Sequence, residues 1–301
     1  MKSNTSGHLA ALFTIIIWGT TFISTKVLLT DFEPAEILFY RFAAGYLTLA
    51  AIYPKRLKNV APKRELTFAA AGLCGVCLYY LLENVSLTYT LASDAGVIIS
   101  SAPFFTAVFS WIFSKGKEKP QARFFVGFAA AMIGIGLIGY SGGDGHDIGQ
   151  RLLGDALALA AAAVWGIYSV LTKKIGEFGY HVIPATRRTF FYGILFMIPA
   201  MFLFGFKFEP ARFAEPVNLL NMLFLGLFAS ALCFVSWGYS VKKLGAVTAS
   251  AYIYIVPVVT LLASALILKE EITPRALVGT ALTIAGLFIG AERPRKKAED
   301  K

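Results

Sequence analysis

Ten long apolar runs, separated by short polar loops, most limit what this chain can fold into. A membrane-crossing helix needs about 20 mostly apolar residues, because lipid gives an exposed peptide group no hydrogen-bond partner. The runs are continuous rather than alternating, which favours helices over the strands of a barrel. Only 15% of the 301 residues are charged, too few to cover a water-soluble globule. We therefore expect an all-α integral membrane protein with ten transmembrane helices. Their predicted ranges are 9–29, 34–53, 66–86, 93–114, 121–140, 152–172, 183–204, 217–239, 247–268 and 274–291.

The loops between these runs differ in positive charge. With a cytoplasmic N-terminus, 21 of the 28 lysines and arginines fall on the cytoplasmic side and 6 on the outer side, while Arg41 lies inside the second run. Cytoplasmic loops of membrane proteins carry such an excess. We expect a multi-pass protein of the cell (inner or plasma) membrane with both termini cytoplasmic. The bias also explains the net charge of +10 without nucleic acid as a partner, since no nucleic-acid-binding motif accompanies the basic residues.

The two halves of the chain carry the same pattern of residues. One set of matches is separated by 147 residues and a second, later set by 154 residues. Each half contains five predicted helices, so the second half would enter the membrane from the opposite face. Such inverted repeats are characteristic of secondary transporters, which bind substrate near the bilayer midplane. The predicted units are 1–146 and 147–301. The matches include Gly7 with Gly154, Trp18-Gly19 with Trp165-Gly166, Lys26 with Lys173, Arg41 with Arg188, Pro103 with Pro257, and Lys115 with Lys269.

Three stretches carry a resemblance to a known family. They are WGTTFISTK at 18–26, YTLASDAGVIISSAPFFTAVFSW at 89–111 and its counterpart LGAVTASAYIYIVPVVTLLAS at 244–264. The chain resembles the EamA family of the drug/metabolite transporter superfamily over both halves. The resemblance implies a ten-helix metabolite transporter, often an exporter of amino acids or related small polar compounds. It implies no particular substrate.

Ionisable residues inside the predicted spans are candidates for function, because they are costly in lipid. Glu83 could bind a cationic group or carry a coupling proton. It could instead form a structural ion pair or meet the outer water. Arg41 and Arg188 could reach the interface, pair with Glu36 or Glu83, or meet a substrate carboxylate. Their matched positions favour a role common to both halves.

The two Trp-Gly pairs lie deep in their spans. Trp18 and Trp165 are each eight residues from a lysine, or about 12 Å along a helix, which places them near the middle of the bilayer. They could line a central cavity from opposite faces or pack between helices. Pro103 and Pro257 are expected to kink their helices, either beside the substrate or as static bends. The full set of cavity candidates is Trp18, Tyr79, Tyr80, Glu83, Asn84, Ser100, Ser101, Trp165, Tyr168, Trp237, Tyr252 and Tyr254.

These features together predict a secondary-active transporter that works by alternating access. We expect it to export amino acids or similar small polar metabolites, with Glu83 as the candidate for proton coupling. The alternatives are a passive facilitator or channel for small metabolites, and a drug efflux carrier. No catalytic set is recognisable, so we expect no enzyme, and no metal or cofactor. The partners are a small-molecule substrate and the lipid bilayer, and the protein is expected to be a monomer or a homodimer.

Overall fold

Ten long helical segments follow one another along the chain in the part that is described. The structure is a computed structural model and describes residues 4–116, 122–139 and 148–290. A short 3-10 turn, Pro210–Ala214, precedes the eighth helix. The ten helices are α1 (Thr5–Leu28), α2 (Pro34–Ile52), α3 (Pro62–Tyr89), α4 (Ala92–Phe113), α5 (Ala122–Gly139), α6 (Ile148–Glu177), α7 (Val182–Leu203), α8 (Pro216–Leu244), α9 (Ala246–Leu268) and α10 (Pro274–Gly290).

The prediction of an all-α membrane protein agrees with this fold. In the described ranges, seven helices are long and apolar enough to cross a membrane: α1, α2, α3, α4, α6, α8 and α9. Ala122–Gly134 within α5 and the whole of α10 are shorter apolar helices. Many large apolar side chains point outward, such as Phe202 at 84% and Leu203 at 83% exposed, as a lipid-facing surface requires. Ten transmembrane helices in an inverted repeat remain a prediction. The predicted junction at 146 and 147, residues 121 and 140 of the fifth predicted span and residue 291 of the tenth lie outside the described residues.

Four of the helices are irregular near their middle. Helix α3 contains a π-helical segment at Leu73–Leu78, and α8 contains one at Phe224–Leu232. Helix α4 is interrupted at residues 100 and 101, and α9 is interrupted by a 3-10 segment at Ala251–Ile255, after a first α-helical turn. Pro103 and Pro257 lie in the first turn of the helical segments that follow, where a missing N–H leaves no bond broken. These irregular segments surround the centre of the bundle.

Two glycines let helices approach closely there. A β-carbon on Gly19 of α1 would lie 2.7 Å from Cβ of Val259 in α9. A β-carbon on Gly166 of α6 would lie 2.7 Å from Cβ of Phe105 in α4. Real β-carbons do not come this near, so α1 with α9 and α6 with α4 can pack at this distance only with glycine. Each glycine follows one of the two deep tryptophans, which brings both indoles to the centre.

The helices alternate in direction, so the bundle has two ends. We call the end at which α1 begins the N-terminal face and the end at which it finishes the opposite face. His8 of α1 contacts Tyr252 of α9 at the N-terminal face, with 2.7 Å between Nδ1 and the hydroxyl. At the opposite face, Arg151 of α6 contacts Asp94 of α4. The aromatic core lies between these two ends.

Candidate functional site

Four aromatic residues from four helices meet at the centre of the bundle. Trp18 of α1 and Trp165 of α6 lie edge to face, with ring centroids 5.1 Å apart and planes at 87°. Trp237 of α8 lies 5.2 Å from Trp18, and Tyr79 of α3 lies 4.7 Å from Trp165. Such tilted and edge-to-face pairs are the favoured geometry for aromatic rings. The two halves of the chain therefore meet in one continuous aromatic cluster.

The indole nitrogens of this cluster have different surroundings. Trp18 Nε1 donates to the carbonyl oxygen of Ala229, at 2.9 Å. Ala229 lies in the π-helical segment of α8, where the backbone ladder shifts from the α-helical pattern. The described residues offer no hydrogen-bond partner to Trp165 Nε1 or Trp237 Nε1. Both are buried donors, and Trp165 also lines the cavity described next.

A small cavity lies against this cluster. Its volume is about 30 Å³, which holds water rather than a metabolite. Of the predicted site residues, five line it, together with Thr21 of α1 and apolar side chains from α1, α4 and α9. The lining residues are Ile15, Trp18, Thr21, Phe22, Tyr79, Tyr80, Glu83, Ile99, Ala102, Trp165, Ile253 and Val256.

Glu83 supplies the acidic group of this lining. Its side chain is only 1% exposed, and one of its carboxyl oxygens has no hydrogen-bond partner among the described residues. Tyr79, one helical turn earlier on α3, is its neighbour on the cavity side. Glu83 is thus held inside the bundle, rather than in contact with water at the end of α3.

Arg41 of α2 lies behind Tyr80 and is fully buried. Its Nε donates to Ser230 Oγ at 2.8 Å, and its guanidinium carbon lies 4.1 Å from the centre of the Tyr80 ring. Arg188, its counterpart in the second half, instead pairs with Glu65, at 2.7 Å and 34% side-chain exposure. The partners of the two arginines therefore give no support to the expectation of one common role. The matched positions have different neighbours.

The remaining candidates lie outside the cavity lining. Asn84 Nδ2 donates to the carbonyl oxygen of Pro34 at 3.0 Å, which links α3 to α2. Ser100 Oγ donates to the carbonyl oxygen of Val97 in the interruption of α4, and Ser101 is buried beside it. Four others complete the set: Tyr168 packs 4.8 Å from Trp165, Trp237 packs on Trp18, Tyr252 contacts His8, and Tyr254 packs 6.3 Å from Phe288.

A network of charged groups ties the helices together at the opposite face. Arg151 and Asp94 form a buried ion pair with 2.5 Å between Nη2 and Oδ2. The carboxylate of Glu270 accepts the backbone N–H groups of Ala92 and Ser93 at 2.9 and 3.2 Å, at the start of α4. A negative charge is stabilised at that position by the helix dipole. A cavity of about 230 Å³ lies beside this network.

Lys26 places a positive charge at the C-terminal end of a helix. Its Nζ donates to the carbonyl oxygens of Leu87 and Thr90, both at 2.7 Å, at the end of α3. A positive charge is stabilised at a helix C-terminus. Lys26 therefore does more than mark the end of α1, because it holds α1 to α3.

A second ion pair at the opposite face was missed by sequence reasoning. Arg212 of the 3-10 turn makes a bidentate contact with Glu36, at 2.8 and 3.0 Å. The Glu36 carboxylate raises the pKa of Arg212 above its ordinary value. The acidic residues in the first turns of predicted helices, Glu36 and Asp94, were the available signal for both ion pairs. Their partners lie in other parts of the sequence.

The N-terminal face has its own cavities. One of about 360 Å³ lies between α4 and α6, beside Ser110, Lys173 and Lys174. Arg187 at this face donates to the carbonyl oxygens of Tyr53 and Lys55, at 2.6 and 2.7 Å. In the described ranges, no group of three or more metal-ligating side chains occurs.

A bundle of long apolar helices around a small, buried, partly polar cavity defines an integral membrane protein of the transporter class. The chain belongs to the EamA-like transporter family, whose profile matches residues 5–140 and 152–290. The resemblance predicted from the sequence is thus confirmed. The family consists of transporters, and the chain is accordingly not an enzyme.

Individual relatives cover almost the whole chain. An uncharacterized transporter of Archaeoglobus fulgidus is 29% identical over 95% of this chain and 97% of its own length. A probable terminal-alkyne amino-acid exporter of Streptantibioticus cattleyicolor is 29% identical over 93% and 91%. A probable amino-acid metabolite efflux pump of Salmonella typhimurium is 27% identical over 93% and 92%. A solved crystal structure with 19% identity matches 95% of this chain and 96% of its own, with a TM-score of 0.66, and supports the fold alone.

Proposed function

We propose that this protein is a secondary-active transporter that exports amino acids or similar small polar metabolites by alternating access. The observation that carries the proposal is the exchange of helix partners between the two halves. Helix α1 packs on α8 and α9, and its counterpart α6 packs on α3 and α4. In the same way, α2 packs on α8, and its counterpart α7 packs on α3. Two matched pairs also pack directly on each other across the halves, α2 on α7 and α5 on α10. Two inverted five-helix repeats would pack in this pattern.

Local features at matched positions support the same arrangement. Lys115 and Lys269, 154 residues apart, both adopt a left-handed backbone conformation, with φ of 55° and 58°. A β-carbon on Gly7 would meet Lys243 and Leu244, and one on Gly154 would meet their counterparts Tyr89 and Thr90. The π-helical segments of α3 and α8 also correspond. Two halves with equivalent packing can exchange conformations, which alternating access requires.

The proposed substrate class rests on the site and on the relatives. Two relatives bear names that refer to amino-acid export or efflux. The cavity lining joins an acidic group, Glu83, to aromatic walls, and Arg41 lies directly behind Tyr80. Such a combination suits a small molecule with an apolar side chain and charged ends. The cavity must enlarge to admit one, because its present volume is about 30 Å³.

The opposite face would act as one of the two gates. The ion pair Arg151–Asp94, the carboxylate of Glu270 at the start of α4, and Lys26 at the end of α3 join α1, α3, α4, α6 and the α9–α10 connection. By the distribution of positive charge, this face would be the outer one, with both termini in the cytoplasm of a cell-membrane protein. Release of substrate to the outside would require these contacts to break.

Glu83 remains the proposed site of proton coupling. Among the described residues, it is the acidic group that lines the central cavity, and its side chain is only 1% exposed. The protein would work as a monomer or a homodimer, since the cavity is built from one chain.

Counterflow in proteoliposomes tests alternating access. Radiolabelled L-alanine, L-leucine and L-phenylalanine would be offered outside vesicles that hold the same unlabelled amino acid. Acceleration of label entry by internal amino acid is expected, because a carrier returns faster when loaded. If the label enters at the same rate with and without internal amino acid, the protein is a passive facilitator or channel. Transport of ethidium without any of the three amino acids would identify a drug efflux carrier.

The direction of transport needs whole cells. Cells that contain or lack the protein would be loaded with a dipeptide of the amino acid found by counterflow. Faster release of the free amino acid from the cells that contain the protein is expected. Equal release with faster uptake would show an importer.

A further inference from the structure

Arg41 has hydrogen-bonding capacity that the protein does not use. Its side chain is fully buried, and only Nε has an acceptor, the hydroxyl of Ser230. The described part of the chain gives Nη1 and Nη2 no acceptor. These two nitrogens form the edge of the guanidinium that binds a carboxylate through two parallel hydrogen bonds. The face of the guanidinium packs on the Tyr80 ring, with Cζ 4.1 Å from the ring centre. This contact fixes the orientation of the edge that carries Nη1 and Nη2.

Glu83 presents the opposite charge near Arg41, and the two groups interact electrostatically without a direct ion pair. The two side chains form no ion pair within the described structure, although each is buried. One carboxyl oxygen of Glu83 also has no hydrogen-bond donor there. Two buried charges that do not pair with each other are expensive, above all in a membrane. The chain keeps both, on α2 and α3, beside the same tyrosine pair.

We propose that Arg41 and Glu83 bind the two charged ends of a zwitterionic substrate. Nη1 and Nη2 of Arg41 donate to the carboxylate, and the free oxygen of Glu83 accepts from the ammonium group. Tyr80 separates the cavity from Arg41, so its side chain must rotate to admit the carboxylate. The aromatic cluster around Trp18 and Trp165 then receives the side chain of the substrate. This inference rests on the proposed function and deepens it, because it makes recognition depend on both charges at once.

Only one of the two matched halves carries the charged groups that would bind the substrate. The counterpart of Arg41 is Arg188, which Glu65 already neutralises, and the counterpart of Glu83 is Trp237. One half of the chain therefore holds both charged groups, and the other supplies Ser230 and aromatic walls. A zwitterion would be bound in one orientation rather than two.

The experiment compares matched ligands that lack one charge. The purified protein in detergent would be titrated by calorimetry with three series. These are L-alanine, ethylamine and propionate; L-leucine, 3-methylbutylamine and 4-methylpentanoate; and L-phenylalanine, phenethylamine and 3-phenylpropionate. At least one amino acid is expected to bind about tenfold or more tightly than its amine and its acid, since each charge-assisted contact adds affinity.

Two substitutions separate the roles. Arg41→Gln is expected to bind the amino acid only as tightly as the matching amine, because the carboxylate is no longer recognised. Its affinity for the amine should equal that of the wild type. Glu83→Gln is expected to bind the amino acid only as tightly as the matching acid, and its affinity for the acid should equal that of the wild type. Arg188→Gln is the matched control and should change none of the affinities. Arg41→Lys retains the charge without the bidentate edge, and should keep a reduced preference if Arg41→Gln does not fold.

The outcomes distinguish this inference from the proposed function. If Arg41→Gln and Glu83→Gln keep the full preference for an amino acid that the wild type transports, the inference is wrong and the proposed function stands. An Arg41→Lys variant with unchanged affinities would also contradict it. If the wild type binds only an amine or only an acid and transports no amino acid, the proposed substrate class fails together with the inference.

Discussion

Trp18 and Trp165, which are 147 residues apart in the sequence, lie edge to face at the centre of the bundle with ring centroids 5.1 Å apart. Each belongs to a different half of the chain, and both line the central cavity. The contact therefore joins the two halves at the point where we expect substrate to bind. Any movement that opens the cavity must alter this contact.

Replacement of either tryptophan by alanine should weaken binding of the amino acid by about tenfold, because a cavity wall and an aromatic pair worth about 0.5–1.5 kcal/mol are lost. Calorimetric titration of Trp18→Ala and Trp165→Ala measures this. Trp111→Ala is the control, since Trp111 of α4 lies outside the cavity lining. If all three variants bind as the wild type does, the binding role of the pair is wrong.

Gly166→Ala should destabilise the protein by about 1–3 kcal/mol, because the new β-carbon would lie 2.7 Å from the backbone of Phe105 and cannot displace it easily. Gly176→Ala on the same helix is the matched control, as its nearest neighbour would be Lys242 Cβ at an ordinary 3.5 Å. That change should be neutral or stabilising by up to about 1 kcal/mol. Thermal unfolding in detergent compares the two. Equal midpoints would contradict the close packing of α6 on α4.

The sequence allowed the helices and part of the site to be predicted, since apolar runs and the repeat depend only on local composition and spacing. Tyr79, Tyr80 and Glu83 share a helical face of α3, and the structure places all three at the cavity. The central position of Trp18 and Trp165 could be predicted from their distance to the lysines at the helix ends. The interruptions of α4 and α9 could be expected only near Pro103 and Pro257.

Other candidates depend on geometry that spacing does not reveal. Tyr252 and Tyr254 lie in a 3-10 segment, whose side chains point in other directions than those of an α-helix. Asn84 is next to Glu83 in sequence, but about 100° further around α3, where it faces Pro34. Arg41 and Arg188 match in the repeat, yet their partners, Ser230 and Glu65, come from other helices. Only the tertiary packing distinguishes them.

Asp94→Asn should open the opposite face more often, because loss of one member of a buried ion pair costs about 3–5 kcal/mol. Ala102→Cys, in a chain whose three native cysteines are alanine, reports access to the cavity. An impermeant maleimide, applied to each side of the membrane in turn, should label this cysteine several-fold faster from one side in the Asp94→Asn background.

Glu209→Gln is the control for this measurement. Glu209 pairs with Arg212 at 3.4 Å and is 56% exposed, so the pair contributes about 0–1 kcal/mol. Its removal should leave the labelling rate unchanged. A rate that is equal in Asp94→Asn and in Glu209→Gln would show that the Arg151–Asp94 pair does not hold the face closed.

Glu83→Gln should abolish the effect of an imposed pH gradient on net transport, if Glu83 carries the coupling proton. Amino-acid exchange at saturating substrate concentration should survive, because exchange requires no net movement of protons. Proteoliposomes with a gradient of either sign measure the effect on net transport, and counterflow measures exchange.

Glu177→Gln is the control, because Glu177 is an exposed carboxylate at the end of α6. This variant should retain both the effect of the gradient and exchange. Net transport by Glu83→Gln that still follows the gradient would place the coupling proton elsewhere. Loss of exchange at every substrate concentration would make Glu83 necessary for the conformational change itself.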